Sequence, residues 1–429
     1  MGLFIHTQES DPLAFFPNRT PPNGYPVLYN ASLGHNQTFL CGLEAPIPAH
    51  LLFSMDHVVK IAAYVLLFLV SAAGNVTMFF ILASNLWRKA DRVNRLLLHM
   101  NIADLIITLY HMPREILHAS TIRWLGPDWL CRMCKFLDVF GVYLGSNVLI
   151  AITLDRFGCI MFDCSYLAKA DGIVDIGLIF SWLIAAILSL PQLELFFVTR
   201  HPCYTSYYQC ISVSFTGQIP PYYDIANTAV TAVEVYLLPF LVICFCYGIM
   251  FWKFASEEAV DDRAIREDSE SRERSNRRSS SQFHMTAAMV IVFLICWTPY
   301  FIAASLHFAD TDLSTGRKLN HIRIPPIIST FLHVFATLNS CANPYLYGYF
   351  SVELRSDVMK LLEKLFGSCD VGLFPYAPMP SSLAQEKRGR GGSLRERGRG
   401  ESCPNSVFIH GPDCHFALEN GAGLRATLV

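Results

Sequence analysis

Charge is scarce in this sequence. Lys, Arg, Asp and Glu make up 16% of its 429 residues, where a soluble domain carries about a quarter. The net charge is −2 and the pI about 6.7, so neither sign is in surplus and nothing favours nucleic acid. Metal-ligand spacing is missing too. Cys131 and Cys134 match a Cys-x-x-Cys pattern formally, but they sit at the start of an apolar segment on a non-cytosolic side, with no second pair to complete a zinc site. The paired inverted repeats of a transporter are absent. So is the clustered His/Asp/Glu or Ser/His set of a membrane enzyme, since His99, His111, His284, His307 and His333 are scattered. No cleavable signal peptide is expected near Met1, and His6 stands where myristoylation needs Ser or Thr.

What is abundant is apolar sequence. Hydrophobic residues make up 52% of the chain, and they fall in long runs. A membrane helix needs roughly 20 mostly apolar residues. Seven segments meet that length: 58–82, 93–117, 131–162, 172–196, 225–252, 283–308 and 325–350. Lipid cannot satisfy open backbone groups, so helices are the reading, and no alternating barrel pattern is visible. The expected fold is an all-α membrane protein, a seven-helix transmembrane bundle over 58–350. The first segment is expected to act as the signal anchor. Arg88, Lys89, Arg92 and Arg95 follow the first segment, and Lys253, Arg263, Arg266, Arg272, Arg274, Arg277 and Arg278 follow the fifth. The positive-inside rule then places the N-terminus outside and the C-terminus in the cytoplasm, against the minor exceptions Lys318 and Arg323. Asn18, Asn30 and Asn36 open glycosylation sequons in the outer tail, 1–57. Asn75 also opens one, but inside the first segment, where it stays unmodified.

Three polar regions remain. Residues 256–282 read as an inner loop, and 370–429, with its Gly/Arg stretch, as a disordered cytoplasmic tail. Between them, 351–369 contains a short amphipathic eighth helix: Val352, Leu354, Val358, Leu361, Leu362 and Leu365 form one face, and Arg355, Lys360 and Lys364 the other. Cys369 behind it is a palmitoylation candidate. The chain ends Thr427, Leu428, Val429, a pattern that PDZ domains bind. Of 14 cysteines, Cys41, Cys131, Cys203 and Cys210 fall on the oxidising side. Four cysteines allow three pairings, and spacing does not choose among them.

Polar groups inside a membrane are costly and therefore meet one another or a cavity. They recur here, one set per segment: Asn75 in the first, Asp104 in the second, Asp155 and Arg156 at the end of the third, Trp182 and Pro191 in the fourth, Pro239 and Tyr247 in the fifth, Trp297 and Pro299 in the sixth, and Asn339, Asn343, Pro344 and Tyr347 in the seventh. This ordered set resembles the rhodopsin-like G-protein-coupled receptors over about 55–366. The resemblance implies that Asn75, Asp104, Asn339 and Asn343 meet mid-bundle and can hold water and a sodium ion. The family usually has a Ser opposite, where this chain has Gly145 beside Ser146. It implies that Asp155 holds Arg156 when the receptor is inactive, although Phe157 replaces the usual Tyr. Relatives add a carboxylate twenty residues before Pro299. Ser279 stands there, so a second ionic clamp is missing and raised basal activity is expected. Pro299 and Pro344 bend their helices, and Arg156, Tyr247 and Tyr347 line the cleft that takes the G protein. The resemblance pairs Cys131 with Cys210 and leaves Cys41 and Cys203 as a second pair.

Several strings narrow the likeness: Arg92 to Asp104, Met112 to Ile116, Phe140 to Ser146, Leu154 to Phe157, Tyr208 to Cys210 and Cys296 to Tyr300. They resemble the gonadotropin-releasing hormone, adipokinetic hormone and corazonin receptor family, with the vasopressin and oxytocin receptors as cousins. Those relatives bind short amidated peptides and signal through heterotrimeric G proteins, with arrestin and receptor kinases as further partners. The Ser residues near Arg277 and Arg278 are candidate kinase sites. By the resemblance, Glu115 contacts the peptide, and Trp297, Tyr300 and Phe301 form an aromatic floor. Lys135 and His333 join the ligand set. Asp138 departs from the family, which carries a basic residue there. Biogenic-amine receptors carry an Asp at that place, so an amine ligand is the alternative. Against it, the fifth segment has Thr228, Thr231 and Glu234 in place of a Ser cluster. Glu115, Asp138 and Glu234 together read as an acidic pocket, suited to a peptide with a cationic residue or His.

Overall fold

The computed structural model describes residues 28–32, 38–42, 52–88, 91–162, 171–200, 206–213, 222–261, 270–309 and 325–366. Seven long helices form the bundle. They are α1 Met55–Arg88, α2 over 92–121, α3 Asp128–Phe162, α4 Asp171–Ser189, α5 over 222–261, α6 Glu270–Ala309 and α7 Pro326–Phe350. The short α8, Val352–Phe366, follows. Helices α5 and α6 run past the apolar spans into the stretch read as an inner loop, to Asp261 and from Glu270. Strands β1 Leu28–Ser32 and β2 Thr38–Gly42 pair in the N-terminal tail. Strands β3 Phe196–Arg200 and β4 Tyr208–Ser212 form a second antiparallel hairpin, between α4 and α5. Neither hairpin is evident in the sequence pattern. Asn18, Asn36, Cys203, Cys369 and the tail from 370 lie outside the described residues.

By length and composition, five helices can cross a membrane: Met55–Arg88, Asp128–Phe162, Gly172–Leu195, Tyr222–Lys253 and Gln282–Leu306. The other two, α2 and α7, are less apolar because their inward sides are polar. Helix α2 buries Asn101, Asp104, Thr108, His111 and Glu115; α7 buries His333, Thr337, Asn339, Ser340 and Asn343. Their outward sides stay apolar, as Leu109, Leu117, Ile328 and Phe331 show. Such a helix is stable in lipid only inside a bundle, where its polar stripe finds partners.

Helix α3 is the hub. It touches α2, α4 and α5, and buries an almost continuous run through Val139, Val142, Tyr143, Leu144, Val148, Leu149 and Ile152. Helix α1 seals the other side against α2 and α7. Gly74 sets that approach, because a Cβ there would come within 2.9 Å of the Cγ of Pro344. Two helices depart from α geometry. A π-turn at Ile107–His111 divides α2 into Arg92–Ile106 and Met112–Thr121. Another at Val233–Leu237 lies between Tyr222–Ala232 and Leu238–Asp261 in α5. Such turns shift which side chains face inward and often mark functional sites.

Overpacking a close contact typically costs about 1–3 kcal/mol. Gly74→Val is expected to lower the melting temperature and surface level of the full-length protein. An unchanged Tm would contradict the tight α1–α7 contact.

Candidate functional site

The end of the bundle that carries β3 and β4 is built on a disulfide. Cys131, at the top of α3, joins Cys210 in β4. Further bonds pin the hairpin. The Val198 N–H donates to Asp128 at 2.8 Å, the Trp124 N–H to the Tyr208 carbonyl at 2.8 Å, and Gln209 to the Ile122 carbonyl at 2.7 Å. Ile122 ends α2 in the left-handed region, with φ 60°, which aims that carbonyl back at the hairpin. The β3–β4 hairpin is thus fixed across the top of α2 and α3.

Below it lies a buried charge cluster. Lys60 of α1 pairs with Glu115 of α2 at 3.2 Å. Arg114 touches Glu115 at 2.5 Å and Asp138 of α3 at 3.0 Å. His111 lies 3.0 Å from the same Asp138 oxygen. Glu115 and Asp138 are both only 3% exposed. The acidic pocket expected from the sequence is therefore not present: each acid already has a cation of the chain as partner. Glu234 also faces no ligand space as a bare charge. It is buried at the α3–α5 seam and accepts a hydrogen bond from Asn147 at 2.8 Å. Lys135 lies over the Phe196 ring, 4.8 Å from its centroid. Among the described residues it has no carboxylate partner.

The aromatic set comes together as expected. Trp297, Tyr300 and Phe301 lie within 5.4–6.0 Å of one another, and Tyr300 meets His333 of α7 edge-on at 5.3 Å. The sequence reading missed Tyr236. The π-turn of α5 brings it in to stack on Phe301 at 4.6 Å, and its hydroxyl bonds Thr298 at 2.8 Å.

The middle layer is a polar knot. Asn343 donates to Asp104 at 2.9 Å. Asn75 donates to the Ser340 carbonyl at 3.0 Å and accepts from Asn101 at 2.9 Å. Ser71 and Thr108 bond each other at 2.7 Å. Asn339 does not join these direct bonds; it lines a small cavity with Asp104, Gly145, Ser146, Trp297 and Ser340. Asn101 and Ser340 are additional members that no single motif marked.

At the opposite end of the bundle, α2, α3, α5 and α6 are bonded to one another. Asp155 is paired with Arg156 and, at 3.1 Å, with Arg92 of α2. Arg156 also reaches across to Gln282 of α6. The clamp residue is thus Gln282, three residues beyond Ser279, and it is a neutral amide. Tyr247 of α5 donates to Thr286 of α6 at 2.9 Å. Tyr347 of α7 is fully buried, and no hydrogen bond ties it to Arg156 or Tyr247 among the described residues. Proline lies inside both moving candidates, Pro299 in α6 and Pro344 in α7.

Known proteins are similar to this chain in sequence. The mesotocin receptor of Rhinella marina is 24% identical over 314 residues, covering 70% of this chain and 76% of its own. The gonadotropin-releasing hormone receptor of Sus scrofa is 26% identical over 304 residues, 68% of this chain and 89% of its own. The oxytocin receptor of Ovis aries is 26% identical over 325 residues, 70% and 78%. Residues 74–347 match the family described as 7 transmembrane receptor (rhodopsin family). With its helices, its disulfide and its polar knot in these positions, the chain belongs to the rhodopsin family of seven-transmembrane receptors.

Proposed function

We propose that this receptor binds a short peptide at its outer end and signals through a heterotrimeric G protein at its inner end. The outer end would face the cell exterior and the tails of α5 and α6 the cytoplasm, as the positive flanks require. The observation that carries the ligand reading is the state of Asp138. An amine receptor needs this carboxylate open for an ammonium. Here Arg114 and His111 hold it. The relatives above are named for peptide hormones. Lys135, which has no carboxylate partner among the described residues, is then a candidate to take a carbonyl or carboxylate of the ligand. This replaces the cationic peptide expected from an acidic pocket.

Signal transfer is a shift between two states, with no reaction on a substrate. Opening the inner end requires α6 to leave Arg156 and Tyr247. Among the described residues, these two contacts end on neutral groups of α6, Gln282 and Thr286. A bond from an ionised Arg to a neutral amide holds less strongly than a full ion pair with a carboxylate, so basal activity is expected to be appreciable. The donor set around Asp104 suits a sodium ion: one carboxylate with Asn339, Ser340 and Ser146 on the same cavity of about 20 Å³. Bound there, the ion would add positive charge beside Asp104 and favour the packed, inactive arrangement. Arrestin, receptor kinases acting near Ser279 and Ser280, palmitoylation at Cys369 and a PDZ partner at Thr427 to Val429 complete the proposed inner assembly.

Three outcomes test this reading. Cells expressing the receptor should raise calcium or alter cyclic AMP with one of a panel of gonadotropin-releasing, adipokinetic and oxytocin-type peptides, and lose the response in Arg156→Ala. A response to a biogenic amine instead, abolished by Asp138→Asn, would overturn the ligand class. Gln282→Glu should convert the α6 contact into an ion pair. An ion pair adds about 1 kcal/mol over a bond from the same guanidinium to a neutral amide, so ligand-free nucleotide exchange should fall roughly fivefold; no change would reject Arg156–Gln282 as the restraint. Sodium should lower basal exchange in the wild type and have no effect in Asp104→Asn; equal sodium sensitivity in both would remove the proposed ion site.

A further inference from the structure

The cluster below the β3–β4 hairpin contains two cations and two anions. Lys60 meets Glu115 at 3.2 Å, Arg114 meets Glu115 at 2.5 Å, and Arg114 meets Asp138 at 3.0 Å. The four residues come from three helices, α1, α2 and α3. Lys60 is 5% exposed and Asp138 3%. A buried charge without a partner is strongly destabilising, but a complete pair can be replaced by neutral groups at little cost. The set as a whole carries no net charge. Adding a ligand cation would leave one basic group uncompensated, as would removing one acid.

The surroundings reinforce this. The Nδ1 of His111 also lies 3.0 Å from Asp138. An ionised carboxylate only accepts, so that nitrogen carries the proton. Tyr64 of α1, fully buried, packs edge-on to His111 at 6.4 Å. The two acids are thus each held by a cation of the chain, and charge joins α1, α2 and α3 at this level.

We propose that Lys60, Arg114, Glu115 and Asp138 are positioning residues, and that Glu115 and Asp138 are internal counter-ions rather than a subsite for a cation of the ligand. Lys60 and Arg114 are then specificity determinants: by occupying both acids they close this level of the pocket to ammonium and guanidinium groups. The part of the ligand that reaches it is uncharged. The ligand half of this statement rests on the peptide-receptor reading; the positioning half does not.

The test uses the full-length receptor in lipid nanodiscs. Glu115→Gln, Lys60→Gln and the double variant are compared for ligand-free Tm. Each single variant should lower Tm by roughly 5–10 °C, and the double, which retains the balanced Arg114–Asp138 pair, should recover most of that loss. Where a single variant fails to reach the cell surface, recovery of surface level in the double reads the same coupling. Tm losses that simply add in the double would overturn the network. The ligand half is read in cells with gonadotropin-releasing hormone and oxytocin as probes. A double variant with restored Tm and potency within about threefold of wild type supports internal counter-ions; a restored Tm with potency still lost as in Glu115→Gln shows that Glu115 meets the ligand, and overturns that half. A wild type silent to both probes, with Tm coupling intact, counts against the peptide reading and leaves the network supported.

Discussion

Lipid offers no hydrogen-bond partner, and the rest of this structure depends on that constraint. Each polar side chain placed in a spanning helix must find another, and the bundle is the arrangement in which they do. At the outer level Lys60, Arg114, Glu115 and Asp138 pair across α1, α2 and α3. At the middle level Asn75, Asn101, Asp104, Ser340 and Asn343 bond across α1, α2 and α7. At the inner level Asp155 and Arg156 of α3 bind Arg92 of α2 and Gln282 of α6. Hydrophobic packing fills the space between these levels but does not choose their register. The paired polar groups do, because a helix rotated by one residue would turn an ionised side chain to lipid.

The levels differ in how firmly they are tied. The outer and middle levels are charge-paired or multiply bonded, and the disulfide adds a covalent tie at the top. At the inner level, among the described residues, α6 is bonded through an amide and a hydroxyl. Movement is therefore cheapest at the inner end of α6, below Pro299. A ligand needs only a modest difference in affinity between the two states to shift such an equilibrium. Trp297, Tyr300 and Phe301 lie on the same helix as Gln282 and Thr286, so a contact at one end and a release at the other share one element. This is a physical route for coupling, and the π-turn that brings Tyr236 onto Phe301 supplies part of it.

Much of this was legible in the sequence. Long apolar runs gave the helices, and intramembrane Asn, Asp and Arg marked the middle and inner levels because their cost demands a purpose. The disulfide followed from the family likeness, since spacing alone left the pairing open. What was not legible has identifiable causes. Lys60 and Arg114 were not picked out as partners, because a sequence does not show that residues 60, 114 and 138 share one level of the bundle. Glu115 and Asp138 then looked like bare acids. Gln282 was passed over since an amide carries no charge to search for. Tyr236 was hidden by a π-turn, which moves a residue to a different face from the one that helical spacing predicts. The two hairpins are short and lie in polar connections, with no long alternating pattern.

The central claim is that the inner end is closed by restraints that give way when a G protein engages. Spin labels at the inner ends of α3 and α6 of the full-length receptor in nanodiscs would measure their separation directly. The account predicts one short distance for the receptor alone, and a second, longer distance when nucleotide-free heterotrimeric G protein is added. A separation that G protein leaves unchanged would contradict it.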